Sequence, residues 1–232
     1  MPLLRKALVL LRTFIYSLSA NVNSEIWLEN FLKEKIYSKF EKYSLTSEHY
    51  NAIINNQKVV INNIQYYDIK KCLEMIDKKN LGPNKVCIVH GDLTIENIMV
   101  DKKKNIKFID MDGSRMFDAR ELDLGKLSQS ILSEYDAWKN LDGSKILEYN
   151  NNSFTVIDKY FQSKNNKKYQ EIVDIWSNIL QESKENVKRK CIFYMCTYFI
   201  RFVPFREKLH PNHGVYALLM ATVWLNKLLG EN

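Results

Sequence analysis

The sequence predicts an α+β fold that is mainly α-helical, with short β-hairpins. Three observations carry this. Seven glycines and four prolines in 232 residues leave few helix breakers and little linker. Apolar residues recur at three- and four-residue spacing over long segments, which is the period of an amphipathic helix. The β-branched runs are short and are joined by polar turns, which is a hairpin signal. Hydrophobic content of 46% and charged content of 26% are those of an ordinary globular chain able to bury a core. The expected organisation is one body over residues 1–232. Leading helices fill 1–85, a central stretch covers 86–127, and C-terminal helices fill 128–232. No internal repeat is evident.

The net charge of +7 fits nucleic acid, membrane surface or anionic small molecules. The lysines are scattered and form no aromatic-interleaved stripe, so no nucleic-acid partner is expected. Cys72, Cys87, Cys191 and Cys196 form no C-x-x-C pair and have no histidine at ligand spacing. They read as small buried hydrophobes of a reducing compartment, and a cytoplasmic location is expected. Met1 to Leu18 has the charge and apolar order of a signal peptide, but Arg12 interrupts it and no A-x-A site follows. An amphipathic helix is preferred, and the run is too short and too charged to span a bilayer.

Along the chain, Ser24 to Phe40 reads as a helix with Ser24 as a candidate cap. Val59 to Tyr67 reads as a hairpin arm, and Asp68 to Asp77 as a helix. After the centre, a helix is expected from about Leu124 to Trp138, capped by Asp123. Asp142-Gly143 marks a turn, and Asn150 to Ser153 a loop. Further helices are expected over Phe154 to Phe161, Tyr169 to Leu180, Lys190 to Phe205 and Val215 to Leu229, with Pro204 ending the third. The aromatic stripe of Lys190 to Phe205 reads as core.

The central stretch is the most informative. An apolar run, Val86 to Val89, ends in His90-Gly91-Asp92, and Asn97 follows five residues after Asp92. Ile98 to Val100 and Ile106 to Ile109 flank a polar turn, Asp101 to Asn105, and the second run ends on Asp110. The predicted hairpin carries Asn97 at its entry and Asp110 at its exit, so both lie at one end, with Asp92 just before. Phosphoryl transfer needs this set. A carboxylate orients the attacking hydroxyl and takes its proton, and a few hard oxygen ligands hold Mg²⁺ against the nucleotide phosphates. Asp92 fits the base, and Asn97 with Asp110 fits the metal. Asp112, two residues further on, either joins the metal shell or takes a turn position.

His90 to Asn97, H-G-D-L-T-I-E-N, has the H-x-D-x-x-x-x-N spacing of the kinase catalytic loop. With I-D-M-D at 109–112 in place of D-F-G, and L-D-L-G-K-L at 122–127, it resembles the aminoglycoside phosphotransferase and choline kinase family of small-molecule kinases. The thirteen-residue step from Asn97 to Asp110 matches that family's hairpin. The resemblance implies a protein-kinase-like C-terminal lobe, ATP as phosphoryl donor and Mg²⁺ as cofactor. It also implies a small hydroxyl compound as acceptor. It assigns Asp92 as catalytic and Asn97 and Asp110 as metal ligands, with His90 bracing the loop and Asp123 supporting it. Two positions depart from the family pattern, where histidine often stands at 94 and a small residue at 96. Here they are Thr94 and Glu96, and the latter reads as a solvated carboxylate.

Residues 1–80 contain no G-x-G-x-x-G and no V-A-I-K-like strand, and no glycine precedes Gly82. The N-terminal β-rich lobe of a kinase is therefore not evident. A fragment, a partner chain supplying that lobe, or a reduced form that works alone all remain open. A second function class follows: a kinase-like binding module that does not turn over by itself. The resemblance leaves aminoglycosides, amino-alcohols and sugars as acceptors. The basic charge leans to a neutral or phosphorylated sugar, and the segment 113–127 is similar to members linked to bacterial surface-polysaccharide synthesis. Arg115 and Arg120 are candidate phosphate contacts. Arg201, Arg206, His210 and His213 are candidates to face the acceptor.

Overall fold

The computed structural model describes residues 2–112, 117–150, 153–157, 160–161 and 166–230. Within them the helices are α1 (Pro2–Leu10), α2 (Ser24–Leu32), α3 (Ser38–Thr46), α4 (Glu48–Asn55), α5 (Ile69–Met75), α6 (Arg120–Leu132), α7 (Tyr135–Trp138), α8 (Asn166–Leu180), α9 (Lys184–Arg201), α10 (Val203–Glu207) and α11 (Pro211–Leu228). The strands are β1 (Ser19–Asn21), β2 (Lys58–Ile61), β3 (Ile64–Tyr67), β4 (Lys85–Cys87), β5 (Ile98–Val100), β6 (Ile106–Phe108), β7 (Asp118–Ala119), β8 (Leu147–Asn150) and β9 (Ser153–Val156). The fold is α+β, helix-rich with small sheets. No described helix is long and apolar enough to cross a membrane.

The chain forms two compact units. The first comprises Met1–Leu28, Lys79–Asp136 and Lys164–Tyr194, and the second Glu29–Lys78, Ala137–Ser163 and Met195–Asn232. In the first, β1, β4 and β7 make an antiparallel sheet in that order, and β5 pairs with β6 as a separate ribbon. Helix α1 turns Ala7 and Leu8 inward and runs into a π-turn, Leu11–Ile15, closed by Tyr16 N–H on Leu11 O at 2.9 Å. Leu8 and Leu11 join Leu124, Leu127, Ile172 and Trp176 in one buried cluster. Leu124, Leu127 and Ile131 recur at three and four residues, so α6 offers that cluster a continuous apolar stripe. Gly125 lies where α6 meets α9: a Cβ there would come within 2.6 Å of Tyr194 Cβ and 2.7 Å of its carbonyl carbon. The four cysteines are buried and form no disulfide, and burial pushes Cys87 and Cys191 up to about 12, far from nucleophilic use.

In the second unit a four-stranded sheet runs in the order β3-β2-β9-β8, with β2 and β9 parallel and the other pairs antiparallel. Asn62 and Asn63 take positive φ, 49° and 65°, at the two-residue turn between β2 and β3. Asn226 of α11 accepts from Tyr67 N at 2.9 Å and donates to Tyr67 O at 2.9 Å, satisfying the open edge of β3. Trp138, Phe199 and Tyr216 pack at the core.

Several elements differ from the sequence expectation. Phe154 to Phe161 was expected to be helical, but Ser153–Val156 is a strand. Phe154 is buried, Thr155 is exposed and Val156 is buried, the two-residue alternation of a half-buried strand. The helix expected at 124–138 begins four residues earlier. It breaks after Leu132, where Glu134 takes φ 49°, and resumes as α7. Asn23, not Ser24, caps α2: its Oδ1 accepts from Ile26 N at 3.0 Å. Pro204 opens α10 instead of ending α9, because proline fits a first helical turn whose N–H groups lack partners anyway.

Candidate functional site

The site is built in the first unit where the loop after β4 runs beside α6. Three residues on one face of that helix, Asp123, Lys126 and Ser130, recur at three and four residues. They meet the loop in order. Asp123 accepts from His90 N and Gly91 N, both at 2.8 Å. Lys126 Nζ lies 2.7 Å from Asp92 Oδ1. Ser130 Oγ accepts from Ile95 N at 3.3 Å. The helix therefore holds the loop backbone and one of its carboxylates in register.

Asp123 is fully buried and takes a third donor, Tyr16 Oη, at 2.8 Å. Burial pushes its carboxyl above the usual range, while the His90, Tyr16 and Gly91 donors pull against that. Burial, with Asp123 alongside, pushes the Tyr16 phenol well up, so it remains a donor. The sequence placed Asp123 as the cap of a helix starting at Leu124. It instead sits in the first turn of α6, and its carboxylate serves the loop.

Gly91 takes φ +83°, and a Cβ there would meet Asp112 Cβ at 2.7 Å, so both backbone and space require glycine. Asp112 N donates to His90 O at 2.9 Å, which ties the chain beyond the hairpin to the loop. His90 is buried. Its Nδ1 accepts from Asp92 N at 3.3 Å, and its ring meets Phe108 edge-on with centroids 6.0 Å apart. Its Nε2 is buried with no hydrogen-bond partner among the described residues. The loop closes on itself through Thr94 N to Asp92 O, 2.8 Å, and Asn97 N to Thr94 O, 3.3 Å.

Asn97 is buried, and its Nδ2 donates to Asp92 O at 2.8 Å and to Asp92 Oδ2 at 3.3 Å. That leaves Oδ1 as the acceptor of the amide, with no donor bonded to it among the described residues. The hairpin forms as expected, with Ile98 opposite Phe108 and Val100 opposite Ile106. One further bond, Ile109 N to Asn97 O at 3.1 Å, extends the ladder, so Asn97 and Asp110 lie at the same end. Asp110 is exposed and held at φ +54°, a left-handed conformation that few side chains other than Asn and Asp tolerate.

Asn97 Oδ1 and the Asp110 carboxylate are hard oxygen donors at one end of the ribbon, beside Asp92. This is a set that suits Mg²⁺, which takes one or two carboxylates and completes its shell with phosphate and water oxygens. No group of three or more His, Cys, Asp or Glu that could hold a metal occurs among the described residues. Glu96 is exposed. Arg120 extends Nη2 to Leu180 O, 3.5 Å away at the C-terminus of α8, and Arg115 lies outside the described residues. In the second unit, Arg201 stacks on Tyr198 and Phe31, and Arg206 stacks on Phe202. There His210 Nδ1 caps α11 by accepting from Asn212 N, and His213 Nε2 lies 3.0 Å from Leu141 O.

Lys126 and Ser130 were not singled out from the sequence. The available signal was their spacing from Asp123, which puts all three on one helical face. No family model, no curated protein and no solved structure matches this chain.

Proposed function

We propose that the chain is an ATP-dependent phosphotransferase acting on a hydroxyl of a small molecule, on a lobe of the protein-kinase type. The observation that carries the reading is the arrangement at the head of the β5–β6 ribbon. Asp92 is held by a loop with kinase spacing, and Asn97 and Asp110 stand at one end of the ribbon beside it. Asp92 has a side chain 44% exposed, open enough to meet an acceptor, and is oriented by Asn97 and Lys126.

In this reading Asp92 orients the acceptor hydroxyl and takes its proton. Asn97 Oδ1 and the Asp110 carboxylate hold Mg²⁺, which neutralises phosphate charge when bound. Asp123 and His90 keep the loop in shape and touch no reactant. The work is positioning and charge stabilisation, which is most of what phosphoryl transfer asks of a protein. A sugar acceptor is favoured by the basic charge of the chain, and surface-polysaccharide metabolism is the setting that the 113–127 resemblance brings with it.

The test is calorimetric titration of the chain with Mg²⁺–ATP. Wild type binds, and Asp110→Ala, verified as folded, loses the binding. Asp92→Ala retains nucleotide but transfers no phosphate to any acceptor in a panel of sugars, aminoglycosides and amino-alcohols. Failure of folded wild type to bind nucleotide sinks the phosphotransferase reading and leaves the kinase-like binding module in its place.

A further inference from the structure

Lys126 is the unexpected member of the site. Its ammonium pairs at 2.7 Å with the carboxylate assigned as the base, on a side chain only 14% exposed. It also lies 5.9 Å from the centre of the Tyr135 ring, a favourable place for a cation. The stem is held by the same helix that fixes His90 and Gly91 through Asp123, so the charge stands at a set position beside the loop.

A base locked in an ion pair is poorly placed to receive a proton. The pair is nonetheless weakly bound, because Asp92 is nearly half exposed and water screens it. A terminal phosphate carries more negative charge than one carboxylate, and attraction scales with that charge. A polyanion arriving beside Asp92 therefore outcompetes it for Lys126.

We propose that Lys126 is the cation that binds the terminal phosphate: it exchanges Asp92 for the γ-phosphoryl oxygens when nucleotide binds, and so releases the carboxylate to act as base. This rests on the phosphotransferase reading. In the step itself, the acceptor oxygen forms a bond to the γ-phosphorus as the bond from that phosphorus to the β-phosphate oxygen breaks. The electron pair leaves with ADP, and the hydroxyl proton goes to Asp92. Lys126 keeps its proton throughout and stabilises the charge spread over the transferring oxygens.

The experiment compares the dissociation constants of Mg²⁺–ATP and Mg²⁺–ADP. Removing Lys126 alone would also leave Asp92 unopposed, so the decisive comparison is made in an Asp92→Asn background. There, adding Lys126→Met is expected to reduce the preference for ATP over ADP about tenfold, the scale of one hydrogen bond to a charged group, with ADP affinity unchanged. Lys126→Gln, which keeps the length and polarity of the side chain, serves if the methionine variant does not fold. Its ³¹P spectrum of bound ATP should show the γ resonance moved and the α resonance unmoved. An unchanged ATP preference in the double variant overturns the role of Lys126 and leaves the phosphotransferase reading standing. Absence of nucleotide binding by wild type overturns both.

Discussion

Two buried acids stand two residues apart in the first turn of α6, and they are satisfied in opposite ways. Glu121, 1% exposed, meets an opposite charge: Lys190 Nζ lies 3.1 Å from its Oε1 and 2.6 Å from Glu182 Oε1. Asp123, 0% exposed, forms no ion pair among the described residues and is held by two backbone N–H groups and a phenol. At about 100° per residue the two side chains leave the helix on different sides. Glu121 looks towards α9, and Asp123 towards the loop that carries Asp92. An ion cluster joins two helices whose backbones are already satisfied. A carboxylate bound to backbone amides instead sets the shape of a segment that has no regular structure of its own. One arrangement bears on stability, the other on the geometry of the site.

The largest effect should come from breaking the charged side of this contrast. Lys190→Met leaves Glu121 and Glu182 buried without a cation, and a loss of about 3–5 kcal/mol is expected in denaturant unfolding. Adding Glu121→Leu and Glu182→Leu should recover most of that loss, because a well-packed apolar replacement avoids the desolvation penalty. A loss well under 1 kcal/mol for Lys190→Met would mean that the cluster is not the buried ion pair its geometry describes. The fraction of this variant that remains folded should still bind Mg²⁺–ATP with wild-type affinity.

Asp123→Ala should cost somewhat less, about 2–4 kcal/mol, by stripping the acceptor from the buried His90 and Gly91 amides. Its distinguishing result is functional. Nucleotide affinity of the folded protein should fall as the loop relaxes, which Lys190→Met does not cause. Equal nucleotide binding by the two folded variants would erase the distinction between them.

Tyr16→Phe is the smallest change, removing one neutral donor for about 1 kcal/mol. Its pH dependence follows from Asp123. Burial raises the folded-state pKa of this acid, so its contribution is fully present below the unfolded value of 3.8 and is lost as pH rises through the folded one. Removing the phenol, which favours the ionised form, raises the folded value further. The deficit of Tyr16→Phe should therefore be small in acid and grow as pH rises through the folded-state value, read from unfolding curves at several pH values. A deficit that shrank with rising pH would show that Tyr16 does not stabilise the ionised carboxylate.

Much of the site's local frame was legible in the chain. The spacing of Asp92, Asn97 and Asp110 around two short β-branched runs announces a ribbon with its polar ends together, because strand alternation and turn chemistry are local preferences. Helical periods located most helices to within a few residues. The error at 154–156 has a physical source: a four-residue strand gains its stability from neighbours, here β2 and β8, and not from its own pattern. The true cap of α2 was missed by one residue, since Asn and Ser both suit that position.

The sequence by itself determined the helix-rich class, the short ribbon and the order of chemical groups along the loop, all of which depend on neighbours a few residues apart. Tertiary structure alone decided the partners. Asp123 meets His90 and Tyr16, respectively 33 and 107 residues away, and Lys190 meets Glu121 across 69. Lys126 reaches Asp92 from another element. A buried charge takes whichever donor or counter-ion packing brings to it, and packing is a property of the whole chain.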